Sequence, residues 1–165
     1  MGSRANRVHL RQFEMSLSFT HLGTGSRGNS TLVESNDTKI LIDQGFSGKQ
    51  LETRLARMEI KPTEIDAILV THHHGDHGGG ASIAPKRWNI PIFCNDRTAT
   101  ALNLDLRNVR LFESLEALEF GDDLALLPVP VPHSGADNVA FVASHKGERG
   151  AVILSLIHIS EPTRP

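Results

Sequence analysis

The sequence predicts a mixed α/β (α+β) fold built as one domain. Two observations carry that expectation. Apolar, β-branched runs of strand length recur along the chain, bounded by Gly, Pro, Asn or Asp. Between them lie segments whose apolar residues repeat at helical spacing. No segment repeats another, which excludes a solenoid or propeller. The 165 residues suit one domain, and 39% hydrophobic with 22% charged residues is ordinary for a globular chain.

In chain order, Leu17 to His21 reads as a short strand and Gly23-Thr-Gly-Ser-Arg-Gly-Asn-Ser30 as a Gly-rich turn. Thr31 to Glu34 and Lys39 to Asp43 read as two strands joined by a turn at Asn36-Asp37. Ser47 caps a helix carrying Leu51, Leu55 and Met58 on one face, and Pro62 breaks the chain after it. Ile65 to Val70 is a buried strand that ends at Thr71. Gly78 to Trp88 begins a helix, Ile90 to Cys94 is a strand, and Asp96 caps a helix through about Leu104. Leu124 to Val131 is a strand whose prolines, Pro128 and Pro130, put its end at a sheet edge or in a loop. Val139 to Ser144 and Arg149 to Ile153 form a hairpin around Lys146-Gly147.

The net charge of −2 supplies no global basic field, although a local basic rim suffices to steer a nucleic acid. The single cysteine, Cys94, rules out an intramolecular disulfide and points to a reducing cytoplasm. No apolar run approaches the roughly 20 residues a membrane span needs, so no membrane partner is expected. Residues 1–14 are basic and polar without an apolar centre, unlike a secretory signal. They are expected to be a disordered or non-native leader, with Met15 as the start and the domain over 15–153.

The chemistry is concentrated in Thr71-His72-His73-His74-Gly75-Asp76-His77. Imidazoles and a carboxylate packed this closely suit a borderline cation such as zinc. Two residues apart on an extended segment, His72 and His74 point the same way. Asp76 and His77 follow in a turn that Gly75 relaxes. One loop thus presents two pairs of ligands to two adjacent ions. His73 falls between ligands, and His145, beside a turn, is expected to be solvated.

The pattern His72-x-His74-x-Asp76-His77 resembles the signature of the metallo-β-lactamase superfamily, and the likeness runs from Met15 to about Ile153. The resemblance implies the N-terminal part of an αββα sandwich. It implies two divalent ions, zinc or alternatively manganese. His72 and His74 would hold the first ion, with His133 of Pro132-His133-Ser134-Gly135, and Asp76 and His77 would help hold the second. Ile40-Leu-Ile-Asp43 fits an early strand ending in an acidic residue near the metal loop. Ala151-Val-Ile-Leu-Ser155 looks like the strand that precedes a bridging aspartate, and Leu156 stands where that aspartate is expected.

Within the superfamily, the Gly-rich segment, the Ile40–Asp43 strand with Gly45-Phe46-Ser47, and the histidine loop resemble the YycJ-type branch, with RNase Z-like phosphodiesterases sharing much of the pattern. That branch is cytoplasmic and linked to exonuclease action on DNA. The implied reaction is hydrolysis of a phosphodiester by a hydroxide activated between two ions, with Asp76 orienting the nucleophile as the catalytic residue. The alternative is a thioester, lactone or other small ester, and a third reading is an inert metal-binding fragment. The Gly-rich loop reads equally as a phosphate cradle or as a plain tight turn. Leu154-Ser-Leu-Ile-His-Ile-Ser-Glu-Pro-Thr-Arg164 resembles a translated transposase adapter of sequencing libraries. Residues 154–165 are therefore expected to be an artefactual tail on a truncated domain.

Overall fold

The computed structural model describes residues 17–132, 137–145 and 148–152. Alternate residues of its early strands face two different cores. Leu32, Leu41, Ile68 and Ile92 pack to one side, and Val33, Ile40, Ile42 and Leu69 to the other. All eight are buried, so this sheet needs cover on both faces.

The elements run β1 (Ser18–Gly23), β2 (Ser30–Ser35), β3 (Thr38–Ile42), α1 (Gly48–Ala56), β4 (Ala67–Leu69), α2 (Gly75–Gly78), α3 (Ile83–Trp88) and β5 (Ile92–Cys94). They continue with α4 (Asp96–Ala101), β6 (Val109–Leu111), β7 (Leu118–Phe120), β8 (Leu124–Pro130), β9 (Val139–His145) and β10 (Glu148–Val152). Strands β1 to β6 form one sheet in sequence order. It is antiparallel through β3 and parallel from β3 to β6. The second sheet is antiparallel, in the order β10-β9-β8-β7.

Leu51 and Leu55 of α1, Ala84 of α3 and Ala99 of α4 fill the core on one face of the first sheet. Leu124 and Leu126 of β8, with Val139, Phe141 and Ala143 of β9, fill the core between the sheets. Helix, sheet and second sheet therefore stack as an α–β–β part of the expected αββα sandwich.

Local rules account for most boundaries. Ser47 accepts from the Gln50 N–H, and Gln50 returns a bond to the Ser47 N–H, a reciprocal cap that starts α1. The β2–β3 turn holds Asn36 at φ 48°, a conformation asparagine tolerates. Strand β10 pairs with β9 from His145↔Glu148, the register expected of a two-residue hairpin.

Several expectations need correction. The cap of α4 is Asn95, whose side chain accepts from the Thr98 N–H, and Asp96 is the first helical residue. The helix expected over Gly78 to Trp88 forms only over Ile83–Trp88 as α3, and Gly78 ends the preceding turn α2. The Ile65–Val70 strand pairs only over Ala67–Leu69. Short strands β6 and β7 carry too few apolar residues to be read as strands. Strand β8 continues through both prolines because its partner on one side, β7, reaches only Leu126. The Pro128 carbonyl accepts from Leu115 on the side away from β9, so its missing N–H also lies on that open side.

His145 is buried rather than solvated. It shares the inward parity of Val139, Phe141 and Ala143 on β9. Its Nδ1 lies 2.6 Å from Ser35 Oγ and 3.5 Å from the Asp123 carboxylate. The leader over 1–14, the Ile153–Ser155 end of the last expected strand, and residues 154–165 lie outside the described residues.

Candidate metal centre

Strand β4 delivers the chain to Thr71 at the carboxyl end of the parallel strands, a position where α/β sheets place ligands. His72 follows and is 1% exposed. His74 precedes α2, with its carbonyl accepting from the N–H groups of His77 and Gly78, both at 2.9 Å. That single helical turn carries Asp76, which is half-exposed, and His77, which is buried. The expected position of His133 lies outside the described residues.

Asp43 organises this loop. It sits one residue past β3 at φ 63°, fully buried, in a conformation that aspartate adopts more readily than most residues. Its carboxylate accepts from the Thr71 N–H at 2.8 Å and from the Thr71 hydroxyl at 2.9 Å. Its other oxygen lies 2.6 Å from His77 Nδ1. Because the Thr71 hydroxyl donates to Asp43, its oxygen is left to accept from His72 Nδ1 at 2.9 Å. One buried carboxylate thus assigns both tautomers, directly for His77 and through Thr71 for His72. Both rings turn Nε2 toward the loop's other ligand candidates.

Burial pushes the Asp43 carboxyl above the usual carboxylate range, with His77 and Thr71 pulling the other way. Burial disfavours the His77 imidazolium, but the hydrogen bond and charge of Asp43 and the charge of Asp76 outweigh it and raise its pKa. The pair therefore holds its shared proton tightly.

The structure brings two pairs of donor atoms together. His72 Nε2 and His74 Nδ1 are 3.0 Å apart, and His77 Nε2 and Asp76 Oδ2 are 3.6 Å apart. Two ligand atoms about 2.1 Å from one zinc, at about 90–120° to each other, lie about 3.0–3.6 Å apart. Each pair thus has the spacing of one edge of an ion's coordination shell. The His72 and His77 rings adjoin, with centroids 4.2 Å apart, so the two edges are neighbours. Among the described residues no group of three or more His, Cys, Asp or Glu side chains is arranged to hold an ion. His73 stacks edge-on against His74, with centroids 5.1 Å apart, and joins neither pair. Burial and the charge of Asp96 push the Cys94 thiol up to about 12.

Asn29, in the Gly-rich turn, was not singled out by the sequence. Its side-chain oxygen accepts from the Gly25 N–H at 2.8 Å, which leaves its NH2 group facing the metal loop. That nitrogen lies 3.0 Å from Asp76 Oδ2, 3.1 Å from His77 Nε2 and 3.1 Å from each of the Gly25 and Asp76 carbonyls. Two hydrogens face four acceptors, so Asn29 could release Asp76 and His77 and still satisfy both hydrogens on the carbonyls. The Gly28-Asn29-Ser30 sequence held the available signal, an Asx residue in a tight turn.

Glycines set the depth of the site. A Cβ on Gly45 would lie 1.9 Å from the Asp76 carbonyl oxygen, and one on Gly80 would lie 1.8 Å from the Phe46 carbonyl oxygen. Gly75 needs no such explanation. Its φ is not positive and a Cβ there meets nothing within 4 Å, so the expected backbone relaxation at Gly75 is not what makes this turn.

The family model described as the Metallo-beta-lactamase superfamily matches residues 23–148. The chain belongs to the metallo-beta-lactamase superfamily. It is 33% identical over 116 residues to exodeoxyribonuclease WalJ of Streptococcus pneumoniae serotype 2, covering 66% of this chain and 43% of that protein. It is 28% identical over 152 residues to exodeoxyribonuclease YycJ of Bacillus anthracis, covering 89% of this chain and 57% of that protein. The chain thus spans about half the length of these relatives. A solved subclass B3 metallo-beta-lactamase from a soil metagenome library, MEM-A1, superimposes with a TM-score of 0.66 at 22% identity, over 81% of this chain and 58% of that one. That likeness bears on the fold. Among the described residues, no helix is long and apolar enough to cross a membrane.

Proposed function

We propose that the chain is part of a two-metal phosphodiesterase that acts on DNA in the manner of an exonuclease. The observation that carries this reading is the pair of adjacent donor edges, His72–His74 and Asp76–His77, with their tautomers assigned by Asp43. The likeness to two exodeoxyribonucleases supports the substrate class.

In this reading His72 and His74, joined by His133, hold the first ion, and Asp76 and His77 hold the second. Two divalent ions held there, zinc or manganese, would supply a water of lowered pKa and neutralise charge on the phosphoryl oxygens. Asp43 keeps Nδ1 of His77 protonated, so Nε2 offers its lone pair. Thr71 does the same for His72. Asp76 is more exposed than the buried His72 and His77, so a substrate can reach it from solvent. Asp76 would orient the nucleophile as well as bind metal.

The test is cleavage of a chromogenic phosphodiester by the intact enzyme with and without added zinc or manganese. Turnover should require the metal, and His74→Ala should abolish it. Robust turnover of a thioester or lactone without diester cleavage would overturn the reading in favour of a small-ester hydrolase.

A further inference from the structure

Helix α1 carries a concentration of positive charge that the metal centre does not use. Lys49, Gln50, Thr53, Arg54 and Arg57 line a surface pocket of about 270 Å³ with no acidic side chain among them. The only acid within α1, Glu52, is tied to Arg87 of α3 at 2.8 Å. Among the described residues, none of Lys49, Arg54 and Arg57 forms an ion pair. A chain of net charge −2 thus leaves three cations uncompensated around one concavity.

That face is joined to the metal loop through packed contacts. Arg54 donates to the Leu22 carbonyl, at the start of the Gly-rich turn, and its guanidinium lies 4.1 Å from the centre of the Phe46 ring. Gly28 of the same turn packs against Phe46 so closely that a Cβ would come within 2.5 Å of the ring. The next residue, Asn29, bonds Asp76 of the metal loop. Helix α1 therefore packs through Phe46 against the turn that holds the metal loop.

We propose that this α1 face binds the sugar–phosphate backbone of a polynucleotide leading to the metal centre. Clustered cations without carboxylates suit a polyanion, and the neighbouring Gln50 and Thr53 offer neutral donors to phosphate and sugar oxygens. Holding the strand by its backbone gives register without sequence preference, as an exonuclease requires. The inference rests on the phosphodiesterase reading for its purpose and is measured by binding alone.

The experiment is fluorescence anisotropy of a labelled oligodeoxynucleotide against the 165-residue chain over a range of salt concentrations. The double variant Lys49→Gln, Arg57→Gln leaves Arg54 in its structural contacts. It should weaken binding at least about tenfold at low salt and reduce the slope of log affinity against log salt by about 1.4–1.8. The control Lys61→Gln, Lys86→Gln removes equal charge elsewhere and should weaken binding less than about twofold. Equal losses in the two double variants, no loss in either, or no oligonucleotide binding by the unaltered chain would each overturn the proposal. Chromogenic diester cleavage by the intact enzyme separates the two ideas. Cleavage with an indifferent α1 face sinks this inference alone, and an α1-dependent complex without cleavage sinks the phosphodiesterase reading alone.

Discussion

Asp43 decides which nitrogen of His77 faces Asp76. The Thr71 N–H can only donate, so one position of the Asp43 carboxylate must remain an acceptor. In Asp43→Asn the amide oxygen takes that position, and the NH2 is left facing His77 Nδ1. Nδ1 must then accept, and the proton moves to Nε2, where it blocks a cation. The Thr71–His72 relay keeps its acceptor and should be unaffected. The variant is expected to bind the Asp76–His77 ion about 10–100-fold more weakly, with the His72–His74 ion little changed. Zinc calorimetry reads the affinities, and the 15N shifts of His77 read the tautomer. A ring that still carries its proton on Nδ1 in the variant would rule this account out. The sequence placed Asp43 near the loop, but its control of two histidines depends on a hydrogen-bond relay between residues far apart in the chain.

At the scale of elements, α2 is short because two backbones meet there. Strand β3 runs into Gly45-Phe46, which passes under α2 with no room for a side chain at Gly45 or Gly80. Gly80→Ala would press a methyl group against the Phe46 carbonyl and should cost about 3 kcal/mol or more. Gly75→Ala, with open space and ordinary backbone, should leave stability unchanged or raise it by about 0.5 kcal/mol. Urea unfolding of the two variants measures the difference, and equal losses would show that the close approach is not what requires glycine. All of these glycines read alike in the sequence. Only the approach of a neighbouring backbone separates the required ones from the permissive one. The same limit applies to Pro128 and Pro130. Their composition argued for an edge, and the edge exists because β7 stops at Leu126, which depends on the length of another strand.

The whole molecule is held by two cores on opposite faces of one sheet, and Phe141 is the largest side chain fully buried between the sheets. Its ring stands edge-on to Phe112, with centroids 5.7 Å apart. Phe141→Ala should cost about 3–5 kcal/mol and lower the midpoint of a denaturant titration, because the sheets cannot collapse onto the missing ring. A loss near 1 kcal/mol would mean the second sheet contributes little to folding. At the rim of the same interface His145, Ser35 and Asp123 connect β9, β2 and the β7–β8 turn. A histidine one residue from a Lys-Gly turn looks solvated in one dimension, and the inward parity of β9 buries it in three.

The sequence by itself determined the apolar strand runs, the capped helix α1 and the two-residue hairpin. Each of these follows from neighbours within a few positions. It also determined the superfamily, because the spacing in His72-x-His74-x-Asp76-His77 is local and chemically demanding. Only the tertiary structure decided the ring tautomers, the role of Asn29, the burial of His145 and the uncompensated charge on α1. Each of these depends on which distant groups arrive within a hydrogen bond or an ion pair, and a linear pattern does not encode that distance.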